Sequence, residues 1–175
     1  MTAPRSTGGV AAVPIVRQVP NGQPFTFVQH HLEYQTQPGP WFLDITEDVR
    51  QVVSACGVHW GQVTVFSNHT TAAIRLQENE PLLLEDLKDH LLRLAPPDAY
   101  YRHNDFDIRT VNMHPNEPKN GHSHLQHVLL STSETIPLIE GDLQLGRFQS
   151  VFLVELDGAR ERRVTLNILG VPGYE

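Results

Sequence analysis

Short stretches of this chain alternate apolar and polar residues, and a period of two residues predicts β-strands. Strands are expected over residues 25–34, 41–45, 62–67, 74–77, 135–139, 143–145, 147–156 and 162–169. In the last two stretches, Val151 and Leu153 are followed by the alternating Val164, Leu166 and Ile168. With the turn-forming residues at 157–160 between them, these stretches predict an antiparallel hairpin.

Two other stretches repeat their apolar residues every three or four positions, which is typical of amphipathic helices. The first follows Thr46, the expected N-cap, and ends at Gly57, with an apolar face of Val49, Val52, Val53 and Cys56. The second begins at Pro81 and ends before Pro96, with a stripe of Leu83, Leu84, Leu87, Leu91 and Leu94. About eight strands with two main flanking helices predict an α+β fold with an antiparallel β-sandwich or barrel-like core.

The segments outside these elements divide the chain further. Residues 1–24 are rich in proline and glycine and predict a flexible lead, although residues 10–19 could lie along the body. Residues 25–175 then form a single domain. Residues 98–119 are polar and without periodicity, and long loops of this kind in compact domains are often functional. A short helix over 123–130 is expected to turn Leu125, Val128 and Leu129 inward.

Composition narrows the class of protein. The chain has 175 residues, enough for one domain, and a net charge of -7, which argues against generic binding to nucleic acid or to an anionic membrane. No apolar run approaches the roughly 20 residues of a membrane helix, and no signal peptide is visible. Cys56 is the single cysteine, so a cysteine-based zinc site is excluded, and a small hydrophobic role in a reducing cytoplasm is expected.

The histidines are the first candidates for functional residues. Five of the ten histidines lie between residues 103 and 127, at positions 103, 114, 122, 124 and 127. Neutral imidazole is a common metal ligand and an acid/base group at neutral pH. The cluster therefore suggests a metal or catalytic site, whereas the plain alternative is a chance run of surface histidines.

Several motifs together carry a family resemblance. They are His69-Thr70-Thr71-Ala72-Ala73 with Glu78-Asn79, Asp86, Tyr101-Arg102-His103, Asn120-Gly121-His122-Ser123-His124-Leu125, Ile136-Pro137, Gly141-Asp142-Leu143-Gln144-Leu145-Gly146-Arg147-Phe148-Gln149 and Glu155-Leu156-Asp157-Gly158-Ala159-Arg160. In this order and spacing, from about residue 25 to Gly170, the chain resembles the YjbQ family, whose members are associated with a secondary thiamine-phosphate synthase activity.

The resemblance implies a β-rich fold with two flanking helices, a homotrimer, a pocket lined by the family's histidines and a small soluble cytoplasmic protein. Three departures from the family pattern bear on the shape of the pocket and on the substrate. Phe148 stands where tryptophan is usual, Ala159 stands where proline is usual, and the loop from Ile108 to Lys119 is longer than typical.

Within these motifs, His69, His103 and His124 come from three separate segments, and converging ligands of this type suit a divalent metal, with zinc the best match. His122 ranks below them because two positions along a strand or helix point away from His124. The alternative is a metal-free histidine pocket that binds an anion.

The remaining motif residues suggest substrate contacts. Thr70, Thr71, Asn120, Gln149 and Arg160 carry hydrogen-bond donors for phosphate oxygens, although Arg160 could simply cap a hairpin. Glu78 is the candidate general base, with a solvated surface carboxylate as the alternative, and His124 is the second catalytic candidate.

Two functions follow as hypotheses. One is an enzyme that condenses a pyrimidine pyrophosphate with a thiazole phosphate. The other is a non-catalytic protein that binds a metal, a small anion or a phosphorylated metabolite. Nucleic acid and membranes are not expected partners.

Overall fold

The computed structural model describes residues 13–18 and 24–173. Within them lie nine strands: β1 Val13–Gln18, β2 Pro24–Gln35, β3 Trp41–Asp44, β4 Val58–Ser67, β5 Ala72–Glu78, β6 Ser133–Ile139, β7 Asp142–Leu143, β8 Gln149–Glu155 and β9 Glu161–Pro172. The helices are α1 Thr46–Ala55, α2 Pro81–Leu94 and α3 Gly121–Val128, and a 3₁₀ turn spans Arg102–Asn104. The α+β fold predicted from the pattern is confirmed.

The strands form two antiparallel sheets. The larger sheet has six strands in the order β1-β2-β9-β4-β6-β7, and the smaller sheet has three in the order β3-β8-β5. Strand β1 lies within the predicted flexible lead and pairs with β2, while residues 1–12 and 19–23 of that lead fall outside the described residues. No described helix is long and apolar enough to span a membrane.

The main core lies between the two sheets. It joins Val63, Val65, Leu166 and Ile168 of the larger sheet to residues such as Ile74 and Leu153 of the smaller one. Helix α1 closes this core with Val49 and Val53, and Gly57 ends the helix with a φ of +74°, as predicted.

The other face of the smaller sheet is also covered. A second core, containing Phe152, Val154 and Leu156, packs against Leu91 of α2. Because β8 is buried on both faces, its apolar residues run continuously from Val151 to Val154 instead of alternating.

Four sequence-based expectations are wrong. The first is the hairpin between β8 and β9, since β8 pairs with β3 and β5 while β9 pairs with β2 and β4. The second is the N-cap of α1. Ile45 occupies that position, and the Thr46 hydroxyl accepts a hydrogen bond from Val151 N–H instead.

The third error is the leucine stripe of α2, which is buried at Leu91 but leaves Leu94 53% exposed. The fourth is the buried face of α3, where Leu125, Val128 and Leu129 point to solvent. Polar residues of α3 are buried instead because they bond to neighbouring backbone. Ser123 donates to the Leu156 carbonyl, and Gln126 donates to carbonyls at the C-terminal end of α2.

Candidate functional site

Three loops cross between the two sheets at the same edge, and together they form what we call the crossover edge: residues 36–40, 68–71 and 156–160. The register explains why they meet. Ser67 pairs with Val164 in the larger sheet, and Ala72 pairs with Glu155 in the smaller one. The loop carrying His69 therefore lies beside the loop carrying Asp157.

A buried ion pair supports this edge. The Glu155 carboxylate, fully shielded from solvent, accepts two hydrogen bonds from the Arg162 guanidinium at 2.7 and 2.5 Å. It also accepts from the Thr36 hydroxyl and from the backbone N–H groups of Leu156 and Asp157. One carboxylate therefore ties the loop at 36–40 to the loop at 156–160.

Arg162 extends this network to the third loop. Its Nη2 donates to the Thr71 hydroxyl at 2.9 Å, and Thr71 is itself buried. Because that oxygen accepts from arginine, the Thr71 hydroxyl proton is free to donate to another group. Thr70, the neighbouring candidate, is exposed on the same loop.

Asp157 links Asn120 and Arg160 through its carboxylate. Its Oδ2 accepts from Asn120 Nδ2 at 2.6 Å and from Arg160 Nη2 at 2.9 Å. The bond to Asp157 uses one of the two N–H groups of the Asn120 amide, which was expected to reach a phosphate. The buried Oδ1 of Asn120 has no hydrogen-bond partner among the described residues. Arg160 keeps further donors, and its side chain is 38% exposed.

Helix α3 brings two histidines together. The rings of His103 and His124 contact each other edge to face, with centroids 4.7 Å apart. Gly121 lets Tyr101 pack closely against the start of α3, since a Cβ atom at residue 121 would lie 2.7 Å from Cβ of Tyr101. The Gly121 N–H donates to Asn104 Oδ1, which fixes the 3₁₀ turn against the start of α3.

Arg109 and Glu117 form an ion pair in the long loop beside His103. Arg109 Nη1 donates to Glu117 Oε1 at 2.6 Å and approaches His103 Nε2 at 3.3 Å, while other bonds reach the carbonyls of His103, Val111 and Asn112. The Arg109 and Glu117 side chains are both about 15% exposed, although their segment has no regular secondary structure. The Arg109 hydrogen bond lowers the pKa of Glu117.

A hydrogen bond fixes the tautomer of His69, and the geometry favours the same tautomer in His103. His69 Nε2 accepts from the backbone N–H of Arg163 at 2.8 Å. Arg109 Nη1, which has two N–H groups, donates to Glu117 and lies 3.3 Å from both Nε2 and the carbonyl oxygen of His103. A neutral ring with Nε2 occupied in this way carries its proton on Nδ1. Both imidazoles are therefore hydrogen-bond donors in their neutral form.

Burial keeps several of these rings neutral. It lowers the pKa of His69, His122, His124 and His127, with neighbouring charge from Arg162 adding to the effect at His69 and from His103 at His124. Near pH 7 these four side chains are uncharged, so they add no positive charge to the site.

The predicted site residues fall into two places. His69, Thr70, Thr71, Asn120 and Arg160 lie on or against the crossover edge, and His103 contacts His124 beside it. Glu78 and Gln149 pair with each other at the far end of the smaller sheet, about 20 Å away for six residues of strand. Gln149 also uses its side-chain oxygen to accept from Gly146 N–H.

Comparison with known proteins identifies the family. The model of the "UPF0047 protein YjbQ-like" family matches residues 30–171. This chain belongs to the YjbQ-like UPF0047 family. A UPF0047 protein from Methanothermobacter thermautotrophicus is 42% identical over 130 residues, which cover 74% of this chain and 83% of that protein. Another from Synechocystis is 34% identical over 150 residues, covering 83% and 95%.

Solved structures of YjbQ-like proteins share the fold. A YbjQ-like protein of unknown function from Sulfolobus solfataricus superposes with a TM-score of 0.74 at 33% identity, covering 83% of this chain and 99% of that one. A hypothetical protein from Aeropyrum pernix gives 0.71 at 34% identity, covering 81% and 98%. The family and its fold are thus shown.

Three supporting residues escaped the sequence analysis of this YjbQ-like protein: Arg109, Glu117 and Arg162. Each acts through a partner at a sequence distance that no local pattern reveals. The one available signal was Glu155 at the end of an apolar run, because a charge there needs a buried partner.

Proposed function

We propose that this protein binds a small phosphorylated metabolite at the crossover edge. The observation that carries this proposal is a set of donors on neighbouring loops that bond to no other described residue: the remaining N–H groups of Arg160, the Thr71 hydroxyl and Nδ1–H of His69. Arginine with neutral N–H and O–H donors is a favourable environment for phosphate oxygens. The chain as a whole is acidic, so a local set of donors is needed to attract an anion.

The reaction we propose is the condensation implied by the family resemblance. The thiazole nitrogen attacks the methylene carbon of the pyrimidine substrate, a C–N bond forms, and the C–O bond to pyrophosphate breaks with its electron pair leaving on pyrophosphate. Donors that contact the departing oxygens stabilise the charge that develops there. Arg160 suits this role, and His124, whose pKa burial lowers, is the second candidate as a neutral hydrogen-bonding group for the substrate.

Zinc at His69, His103 and His124 remains a proposal that the geometry supports less well. The Nε2 lone pairs of His69 and His103 already accept hydrogen bonds, so a metal would require release of Arg163 N–H and Arg109. Among the described residues no group of three metal-ligating side chains is close enough to hold an ion. The arrangement favours the metal-free, anion-binding alternative.

We also propose that the protein works as a homotrimer, as the family resemblance implies. Leu125, Val128 and Leu129 form an exposed apolar face on α3, and an apolar face of this kind favours association.

Conversion of the two phosphorylated substrates into thiamine phosphate tests this proposed function directly. Purified protein is incubated with the pyrimidine pyrophosphate and the thiazole phosphate, and thiamine phosphate is measured by mass spectrometry. We expect product with the parent, at least a tenfold lower rate with Arg160→Ala or His124→Ala, and an unchanged rate with His90→Ala on the exposed side of α2. Binding of either phosphate without product would instead support the non-catalytic alternative.

A further inference from the structure

The first loop of the crossover edge, residues 36–40, carries none of the proposed phosphate donors, yet it is bonded to the loop that carries Arg160. Thr36 N–H donates to the Arg160 carbonyl at 3.0 Å, and Gly39 N–H donates to the Asp157 carbonyl at 2.7 Å. These two bonds lie at opposite ends of the turn formed by residues 157–160. The loop at 36–40 therefore holds both ends of this turn.

Close packing fixes the loop on its neighbour. A Cβ atom at residue 39 would collide with the backbone of Glu155 and Leu156, so glycine is needed for this approach. Thr36 is only 4% exposed, and water therefore does not compete for its hydrogen bonds. Contacts of this kind restrict how far the loop and the turn can move relative to each other.

The Thr36 hydroxyl connects the buried ion pair to the backbone of Arg160. Its oxygen accepts from Arg160 N–H at 3.1 Å and lies 2.8 Å from both Glu155 Oε2 and the Arg160 carbonyl oxygen. The hydroxyl has a single proton, and the charged carboxylate is the stronger of the two acceptors. The Arg160 carbonyl already accepts from Thr36 N–H. A chain of hydrogen bonds therefore runs from Arg162 through Glu155 and Thr36 to Arg160 N–H.

The Arg160 side chain is less constrained than its backbone. Its Nη2 donates to Asp157 Oδ2 at 2.9 Å, and 38% of the side chain is exposed. Ordering an arginine side chain costs considerable rotamer entropy. A backbone that is already fixed at residue 160 reduces what a ligand must order when it binds.

We propose that Thr36 is a positioning residue for the phosphate site, because its hydroxyl holds the Arg160 backbone in place before the ligand binds. The proposal rests on the proposed function, in which Arg160 donates to the phosphate. Thr36 acts through Arg160 and does not itself contact the ligand, since it is buried. Without the hydroxyl, Arg160 N–H loses its acceptor, and part of the binding free energy is used to order the turn.

The experiment measures the affinity for inorganic phosphate by isothermal titration calorimetry. Thr36→Val keeps the side-chain shape but removes the hydroxyl, and it should weaken binding about fivefold, which is the effect of one hydrogen bond. Thr36→Ser retains the hydroxyl and should bind as the parent does. Thr135→Val is the matched control, since this exposed threonine on β6 bonds to Thr64, and its affinity should be unchanged.

A double-mutant cycle separates positioning from a general loss of structure. In the Arg160→Ala background, Thr36→Val should cause no further loss of affinity, because the group that it positions is absent. Equal losses with and without Arg160, or parental affinity in Thr36→Val, would overturn the inference alone. A parent that does not bind phosphate, or an Arg160→Ala variant that binds it as the parent does, would overturn the proposed phosphate site and this inference with it.

Hydrogen exchange in the parent adds a measurement that does not depend on how well the variants fold. Phosphate should slow exchange of the Arg160 amide, whose proton the Thr36 hydroxyl accepts, because binding stabilises the ordered turn. The amide of Cys56 at the C-terminal end of α1 should be unaffected. An Arg160 amide whose exchange stays the same in phosphate-bound protein would overturn the inference.

Discussion

Replacing Arg162 by methionine tests the ion pair that supports the crossover edge. The Arg162 and Glu155 side chains are 4% and 0% exposed, so the substitution leaves a carboxylate buried without its cation. Breaking such a pair costs about 3–5 kcal/mol. Three donors remain on Glu155, from Thr36, Leu156 and Asp157, so we expect a loss of about 3 kcal/mol of unfolding free energy.

The adjacent residue provides a matched control. Arg163 pairs with Glu33 at 2.7 Å, but these side chains are 54% and 33% exposed, and surface pairs contribute about 0.2–1 kcal/mol. Urea unfolding followed by circular dichroism measures both variants. With a slope of about 2 kcal/mol per molar urea, Arg162→Met should shift the midpoint by about 1.5 M, and Arg163→Met by less than about 0.5 M. Equal shifts in the two variants would refute the assignment of Glu155 and Arg162 as a buried support.

Further predictions concern packing, pH, assembly and metal. Leu91→Ala should cost about 2–5 kcal/mol of unfolding free energy. The leucine stripe alone predicts the same cost for Leu87→Ala, but Leu87 is half-buried, so we expect roughly half that loss. Equal losses of the two variants in urea unfolding would contradict this. Burial holds the pKa values of four histidines, at positions 69, 122, 124 and 127, below the unfolded value of about 6.5. The stability that these histidines contribute is therefore present above about pH 6.5, and it is lost as the pH falls toward their folded pKa values. Urea midpoints should therefore drop between pH 7.5 and pH 5.5, and a constant or rising midpoint would show that these rings do not titrate as described. Light scattering should give the mass of a trimer, and Val128→Glu on the exposed face of α3 should lower that mass; a monomeric parent at micromolar concentration would contradict the proposed assembly. Tag-free protein should keep its phosphate affinity after exhaustive chelation, and a loss that zinc restores would favour the metal site over the metal-free one.

The hydrophobic pattern predicted most strands and helices because each of them has one buried and one solvated face. It failed where that condition does not hold. Strand β8 is buried on both faces, so its sequence does not specify which strand it pairs with, and the expected hairpin with β9 was wrong. In α3, Ser123 and Gln126 are buried through hydrogen bonds to backbone carbonyls, and a hydrophobicity pattern places such residues outside.

The candidate site was predictable to a similar degree. Motifs identified His69, His103, His124 and Arg160, and the register of the sheets explains why His69 and Arg160 lie on neighbouring loops. The sequence does not show which nitrogen of a histidine is already bonded, and this decides between a metal ligand and a hydrogen-bond donor. It also does not show that the Asn120 amide donates to Asp157.

The central claim is that Nε2 of His69 and of His103 faces a hydrogen-bond donor, which leaves Nδ1–H of each ring as a donor beside an arginine phosphate site. A long-range ¹H–¹⁵N spectrum of the histidine rings, recorded at pH 8 with and without the thiazole phosphate, tests it most directly. We predict a protonated Nδ1 and a bare Nε2 on both rings, with the phosphate shifting the signals of His69 but not those of His90 on the exposed side of α2. Protonated Nε2 atoms, or a His69 signal that the phosphate leaves unchanged, would contradict the account.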